Sequence, residues 1–416
     1  MLNKYGKSQF RWQWILFFAL LAFLVPVAYA SGGGESKIPG YFLWIAVFLL
    51  LAKMSSLIER FGQPAVLGEL VMGVLLGNLA LVGIGWFEPL VKDDIILFLA
   101  ELGVVILLFQ IGLESHIEEM KKVGARAFAV ATVGVITPFG LGYVAGMILM
   151  PELNTNSLLF LGATLTATSV GITGRVFRDL GKLQTREAQI VLGAAVIDDV
   201  MGLIILAVVS AIVATGAVSV GSISLITLEA VVFLVGALLL GGWLAPHIGH
   251  FFSLVHTGIG MKFTIAISFC LIFSYLAHLA GLAPIVGAFA AGLMLMPVHF
   301  KRFAKPAINQ EIENAIANTS DEKTKQRVTK VLEHYGKEHI DRLIAPLGHF
   351  LVPLFFIVTG MQVDLRTLSD PKILGIALII TIIAFVGKLV SGIVAGPVNK
   401  YIVGWEIGRA SCRERV

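Results

Sequence analysis

Apolar runs long enough to cross a membrane recur along the whole chain, separated by short polar segments. We predict eleven hydrophobic spans after the amino-terminal segment. They cover residues 40–59, 64–83, 95–113, 127–149, 157–174, 187–214, 226–245, 262–281, 284–297, 346–361 and 373–396. A helix needs about 20 apolar residues to cross a hydrocarbon core of about 30 Å, and most of these runs approach that length. The pattern therefore predicts an all-α polytopic membrane protein without separate soluble domains.

The amino terminus has the three parts of a secretory signal peptide. Basic residues at the start precede an apolar run at 15–27, and Ala28-Tyr29-Ala30 forms an A-x-A-type cleavage site. We expect residues 1–30 to be a signal peptide, with a retained extra helix as the alternative. Cleavage would leave the mature amino terminus outside.

The positions of Lys and Arg predict the orientation of the spans. If the first span runs from outside to inside, the inside connections hold 19 of these residues and the outside connections hold four. The polar insert at 299–342 supplies nine of the 19, and without it the ratio is still ten to four. The positive-inside rule therefore makes this insert cytoplasmic. We expect a solvated loop there, with a regulatory or partner-binding role as the alternative.

Two pairs of segments indicate an internal repeat. Residues 62–77 and 281–294 share a Pro, an aliphatic pair and a spaced Gly pattern, while 108–114 and 357–364 both close an apolar helix on Gly and then an acid. The matching spans are seven apart. Because seven is an odd number of crossings, the second copy crosses the membrane in the opposite direction to the first. Many secondary transporters have such inverted repeats.

The repeat divides the chain into a first six-helix repeat at 40–214, a linker helix at 226–245 and a second repeat at 262–404. Partners of the fifth and sixth spans are expected after the eleventh, but residues 405–416 are polar and too few for another span. We therefore interpret the second repeat as incomplete and 405–416 as a non-native tail, with a natural short cytoplasmic tail as the alternative.

Asp198 and Asp199 are adjacent acids near the middle of the otherwise apolar sixth span. A charged residue at the bilayer centre costs roughly 2.5–3.5 kcal/mol on insertion scales, so such residues usually have a function. Neighbouring helix positions point about 100° apart, so one carboxylate can face a water-filled cavity while the other faces a neighbouring helix. A carboxylate that holds either a proton or a metal cation suits a cation–proton exchanger. A structural pair held only by hydrogen bonds is the alternative.

Two other spans carry groups that suit the same site. Lys388 is a lone charge within the eleventh span and a natural partner for one aspartate, with snorkelling to the cytoplasm as the alternative. Around Thr168 and Ser169, the fifth span is rich in hydroxyls and small residues. These suit either close helix packing or a helix that unwinds within the membrane, where freed carbonyls and hydroxyls can bind a cation.

Other polar residues lie near the ends of their spans. Glu69 in the second span is a candidate for tuning the site, with an interfacial or packing role as the alternative. Gln110 and Glu114, at the end of the third span, are expected to have interfacial or packing roles.

Composition argues against other function classes. Charged residues make up 14% of the chain, against roughly 25% in a soluble domain. The net charge of +4 follows from the inside connections, so it does not indicate a nucleic-acid partner. Nothing resembles a phosphate-binding loop, a zincin motif or a catalytic triad. We expect no enzyme activity and no cofactor.

With these residues in hand, the chain from Tyr41 to Val403 resembles the monovalent cation:proton antiporter-2 family. Its bacterial members include sodium–proton antiporters and potassium-efflux systems. The most specific segments are 62–77, 102–114, 166–173, 194–202, 355–364 and Gly387-Lys388.

The resemblance implies an inverted-repeat sodium–proton antiporter fold, with about 13 helices when complete and about 11 here. It implies a panel that forms a homodimer and a core that moves the site between the membrane faces. Asp199 would be the main carrier of the cation and the proton, which makes the two aspartates the sodium ligands. Asp198 would pair with Lys388, and Thr168 and Ser169 would lie at the unwound point of the fifth span.

The resemblance also bears on the ion and the compartment. Members with two aspartates and the lysine tend to be electrogenic sodium exchangers, whereas potassium-efflux relatives often replace the first aspartate. We therefore expect exchange of Na⁺ or Li⁺ for protons in a bacterial inner membrane, with a periplasmic mature amino terminus. Potassium–proton exchange is the alternative, and an ion channel or an intramembrane aspartyl protease is less favoured.

Overall fold

The computed structural model describes residues 38–61, 63–115, 117–215, 220–295 and 339–395, together with the single positions 303, 312 and 328. In these ranges the chain forms twelve α-helices and short 3₁₀ segments, and no strand. The helices are α1 (Ile38–Ser55), α2 (Ala65–Gly77), α3 (Asp94–Glu114), α4 (Ile117–Leu149), α5 (Thr155–Thr166), α6 (Val170–Asp179), α7 (Arg186–Thr215), α8 (Val220–Val255), α9 (Ile259–Leu279), α10 (Pro284–Met294), α11 (His339–Met361) and α12 (Pro371–Ser391).

Each of the eleven predicted spans corresponds to a helix or a pair of helices in the described ranges. Seven segments there are long and apolar enough to cross a membrane. In addition, α7 and α8 have 30 and 36 residues, more than the roughly 20 that a crossing needs. The prediction of an all-α polytopic membrane protein is confirmed. The predicted signal peptide, the tail at 405–416 and most of the insert at 299–342 lie outside the described residues.

The second predicted span is shorter than expected, because α2 ends at Gly77 and a 3₁₀ turn follows. The Asn78 side chain accounts for this end. Its amide nitrogen donates to the carbonyls of Val74 at 2.9 Å and Val363 at 2.7 Å. Its amide oxygen accepts from the main-chain N–H of Leu365 at 2.8 Å. These bonds replace helical ones and join the end of α2 to the chain that follows α11.

The chain divides into two compact units. The first consists of residues 1–103 and 350–369, and its described part contains α1, α2 and parts of α3 and α11. In the second unit, residues 104–349 and 370–416, α4 is the central helix and packs against α5, α7 and α12. Gly387 lets α12 approach α4 closely, since a Cβ there would lie 3.0 Å from Cγ of Pro138.

Close glycine contacts occur in both units. In the first, the Gly73 and Gly360 backbones touch, and a Cβ on Gly73 would overlap the Ile357 carbonyl. In the second, Gly112 and Gly292 touch in the same way. Glycine allows such contacts because it has no Cβ to hold the backbones apart.

The two glycine contacts are equivalent under the predicted internal repeat. That repeat matches Gly73 of the second span with Gly292 of the ninth, and Gly112 of the third with Gly360 of the tenth. The Gly73–Gly360 contact in one unit therefore corresponds to the Gly292–Gly112 contact in the other. This correspondence supports the internal repeat. The division of the chain into a first repeat, a linker helix and a second repeat stays a proposal.

We expect Gly112→Ala to destabilise the protein by about 1–3 kcal/mol, because its methyl group would overlap the Phe289 carbonyl. Gly140→Ala is the matched control, since a Cβ at Gly140 of α4 meets nothing within 4 Å. Thermal unfolding of the purified protein in detergent compares the two. Equal melting temperatures for both variants would contradict the close contact.

Candidate functional site

The fifth predicted span is interrupted where its hydroxyl-rich sequence suggested. Helix α5 ends at Thr166 and α6 begins at Val170. Between them, Ala167 and Ser169 are extended, with ψ values of 133° and 109°. The Ser169 hydroxyl accepts from the main-chain N–H of Ile172 at 3.2 Å and caps α6. The break therefore leaves helix-terminal carbonyls and amides within a membrane-spanning segment.

Lys388 of α12 joins this break to the aspartate pair. Its ammonium donates to the Thr166 carbonyl at 2.8 Å and lies 3.2 Å from Oδ2 of Asp198. The Lys388 and Asp198 side chains are only 8% and 4% exposed. Lys388 therefore points at Asp198 and does not snorkel to the membrane surface. The buried ammonium has both a counter-ion and a carbonyl acceptor, as a charge in this environment requires.

Asp198 and Lys388 line a small cavity. The cavity lies among α4, α7, α12 and the broken α5–α6 segment, all within the second unit. Its lining residues are Val130, Ala131, Gly134, Thr168, Thr173, Val191, Ala194, Ala195, Asp198, Lys388 and Ser391. Mostly apolar walls with a few converging polar groups are typical of a small-ligand site.

Asp199 has different surroundings from its neighbour. It is half-buried and is not among the residues that line this cavity. Its Oδ2 atom is buried and has no hydrogen-bond partner among the described residues. A buried carboxylate oxygen without a partner is uncommon, and it suits a group that receives a proton or a cation. The roughly 100° between adjacent helix positions accounts for the separate surroundings.

Gly134 and Ser391 line the cavity but do not stand out as site residues in the sequence. Gly134 of α4 lies four residues before Pro138, which has no N–H to donate to the Gly134 carbonyl. Ser391 lies one turn after Lys388 and donates to its carbonyl at 2.7 Å. The Gly-x-x-x-Pro spacing and the serine three positions after the lysine are the available sequence signals.

Thr173 of α6 also lines the cavity and is 2% exposed. Glu69, the candidate for tuning, belongs to α2 in the first unit and is 4% exposed. It is not among the cavity residues.

Comparisons with known proteins show the family of the chain. Residues 45–410 match the family described as sodium/hydrogen exchanger, transmembrane. The high-affinity Na⁺/H⁺ antiporter NhaS3 of Synechocystis is 33% identical over 402 residues, covering 88% of this chain and 79% of the relative. The Na⁺/H⁺-K⁺ antiporter GerN of Bacillus cereus is 31% identical over 352 residues, covering 84% of this chain and 78% of the relative.

A solved structure shares the fold. The sodium–proton antiporter MjNhaP1 of Methanocaldococcus jannaschii superposes with a TM-score of 0.54 at 14% identity, covering 89% of this chain and 82% of that one. The solved structure shows the fold, and the family match over residues 45–410 leads to one conclusion. This multi-pass membrane protein belongs to the sodium/hydrogen exchanger family.

Proposed function

We propose that the protein exchanges Na⁺ or Li⁺ for protons across a bacterial inner membrane by alternating access. The observation that carries the proposal is the buried Lys388–Asp198 pair at the broken α5–α6 helix. Beside it in the chain is the Asp199 carboxylate, one oxygen of which has no hydrogen-bond partner in the part of the chain that the structure describes. The names of the two relatives, both Na⁺/H⁺ antiporters, support these ions. A homodimer is part of the proposal and rests on the family resemblance alone.

Competition for the same carboxylates produces the exchange. With Lys388 charged, Asp198 ionised and Asp199 protonated, the three groups are together neutral. Sodium entering between the aspartates displaces the proton of Asp199 and draws Asp198 away from the ammonium. Lys388 then loses its counter-ion and releases a proton, because an unpaired ammonium is unfavourable in a dry site. Binding of protons on the other face reverses these steps.

The broken helix supplies further sodium ligands. The Thr166 carbonyl accepts from the Lys388 ammonium in this structure, and a neutral lysine donates more weakly, so the carbonyl can then turn to a cation more readily. Thr168 lines the same cavity and offers a hydroxyl oxygen. Carbonyl, hydroxyl and carboxylate oxygens suit a hard cation. In this cycle the site exchanges two protons for one sodium ion, so each turnover moves one net charge across the membrane and the exchange is electrogenic.

Potassium–proton exchange is the second candidate, because the printed name of GerN includes K⁺. Liposomes that contain the protein and a pH-sensitive dye distinguish the two. Proton movement after sodium or lithium pulses, with none after potassium, supports sodium exchange. A response to potassium alone supports the second candidate, and no response to any of the three ions contradicts both.

We expect Asp199→Asn to abolish sodium-driven proton movement in these liposomes, because an amide neither holds the proton nor carries the charge that attracts sodium. Glu152→Gln is the matched control. Its carboxylate is 61% exposed and lies 3.8 Å from the Lys372 ammonium, outside the cavity. Robust exchange by Asp199→Asn, comparable with that of the control, would remove Asp199 from the mechanism.

We expect Lys388→Met to destabilise the protein by about 3–5 kcal/mol, since it leaves the Asp198 carboxylate buried without its ammonium partner. The double variant Lys388→Met/Asp198→Asn should regain much of that loss, because both charges are then removed together. Thermal unfolding in detergent at neutral pH measures all variants. Strictly additive losses would mean that the two charges do not interact.

A further inference from the structure

A second polar cluster lies in the second unit, outside the residues that line the cavity. Its centre is Arg178, near the carboxyl end of α6. The Arg178 Nε atom lies 2.8 Å from Oε1 of Glu114, at the end of α3. Its Nη1 donates to Oε1 of Gln110 at 2.8 Å. Its Nη2 lies 3.5 Å from Oδ1 of Asp341, in the first turn of α11.

The side chains of this cluster are partly or fully buried, which favours a stable contact. Gln110 is 1% exposed, and the side chains of Arg178, Glu114 and Asp341 are 24%, 25% and 23% exposed. Partly buried, charge-assisted hydrogen bonds are stronger and more directional than pairs on an open surface. The arginine lies near the carboxyl ends of α3 and α6, and Asp341 near the amino end of α11. The helix dipoles favour both placements.

Gly348 of α11 provides independent evidence that the cluster is closely packed. A Cβ at this position would overlap the Oε1 atom of Gln110. The backbone of α11 therefore lies directly against the amide that accepts from Arg178. Gln184, in the segment after α6, donates to the main-chain carbonyl of Glu114 and adds a further contact at the same place.

Arg175 provides the internal comparison. It lies one turn earlier on the same helix, and its Nε contacts Asp179 of that helix at 2.9 Å. This is an i,i+4 pair, which stabilises α6 but joins it to no other helix of the described ranges. Of the two arginines, Arg178 is therefore the one that connects α6 with α3 and α11.

We propose that Arg178 is a positioning residue for the cation site, an inference that rests on the proposed sodium exchange. Helix α6 has ten residues, so its two ends are about 15 Å apart and move together as a short rigid rod. The Arg178 contacts fix its carboxyl end. Its amino-terminal part carries Thr173 into the cavity, and Ser169 caps that end. By fixing α6, Arg178 therefore fixes the positions of Thr173 and of the amino-terminal amides of α6 relative to the two aspartates.

The test compares Arg178→Gln with Arg175→Gln, which removes the same charge from the same helix. In proteoliposomes, Arg178→Gln should raise the apparent KM for sodium about tenfold, the loss typical for removing a group that orients a metal ligand. The maximal rate should change much less, because the aspartates and the lysine remain. Arg178→Lys should lie between, since a lysine cannot reach three acceptors with one planar fork. Arg175→Gln should keep the KM of the unaltered protein.

Hydrogen exchange of the backbone amides from 166 to 175 gives a readout that does not depend on transport. Arg178→Gln should accelerate exchange there, and Arg175→Gln should do so much less. Equal exchange in the two variants overturns the inference, and so does accelerated exchange in Arg178→Gln with an unchanged KM. If the unaltered protein moves no protons with any cation, the proposed function fails and the role in cation binding fails with it, whereas hydrogen exchange still decides whether Arg178 fixes α6.

Discussion

The contact between the Lys388 ammonium, the Asp198 carboxylate and the Thr166 carbonyl is the interaction on which the site depends. A membrane-embedded charge is tolerated only when it is balanced and hydrogen-bonded. Here three helices each contribute one member, so none of α5, α7 and α12 can shift alone without exposing an unbalanced group. The same contact connects the ion pair to the helix break. A change in the charge of Lys388 therefore changes both the electrostatics of the cavity and the carbonyl available to a cation.

Close backbone packing makes that arrangement possible. Pro138 of α4 contacts the position of Gly387 in α12, next to Lys388, which brings the lysine-bearing helix against the central helix. Gly112 and Gly292 allow a similar approach of α3 and α10. In a bilayer, apolar burial does little to drive helices together, so close packing and interhelical polar contacts must hold them. The chain combines both, with glycine contacts and buried polar contacts between the helices.

Much of this arrangement could be predicted from the sequence because it depends on local properties. Apolar length locates the spans, and the run of hydroxyls around Thr168 favours a break where α5 ends. The rule that buried charges need partners indicates that Lys388 pairs with an aspartate, although the choice of Asp198 came from the family resemblance. These features need no knowledge of which helices are neighbours.

Other features depend on how the helices are rotated about their axes and which helices are neighbours. Patterns along the sequence do not reveal either. The Asp198 side chain lines the cavity while Asp199 does not, a difference set by the rotation of α7. In the sequence, Arg178 is one of the 19 basic residues of the inside connections, and Glu114 is a polar residue at the end of a span. In the structure, Arg178 contacts both Gln110 and Asp341, which are far apart in the chain. No local sequence pattern indicates that these residues are neighbours.

The central claim is that sodium and protons compete for the same buried carboxylates. The most direct measurement is calorimetric titration of the purified protein with sodium in two buffers that differ in ionisation enthalpy, because the difference in heat reports the protons released per sodium bound. We expect net proton release that disappears in Asp199→Asn. Saturable sodium binding without any proton release, or unchanged release in Asp199→Asn, would contradict the account.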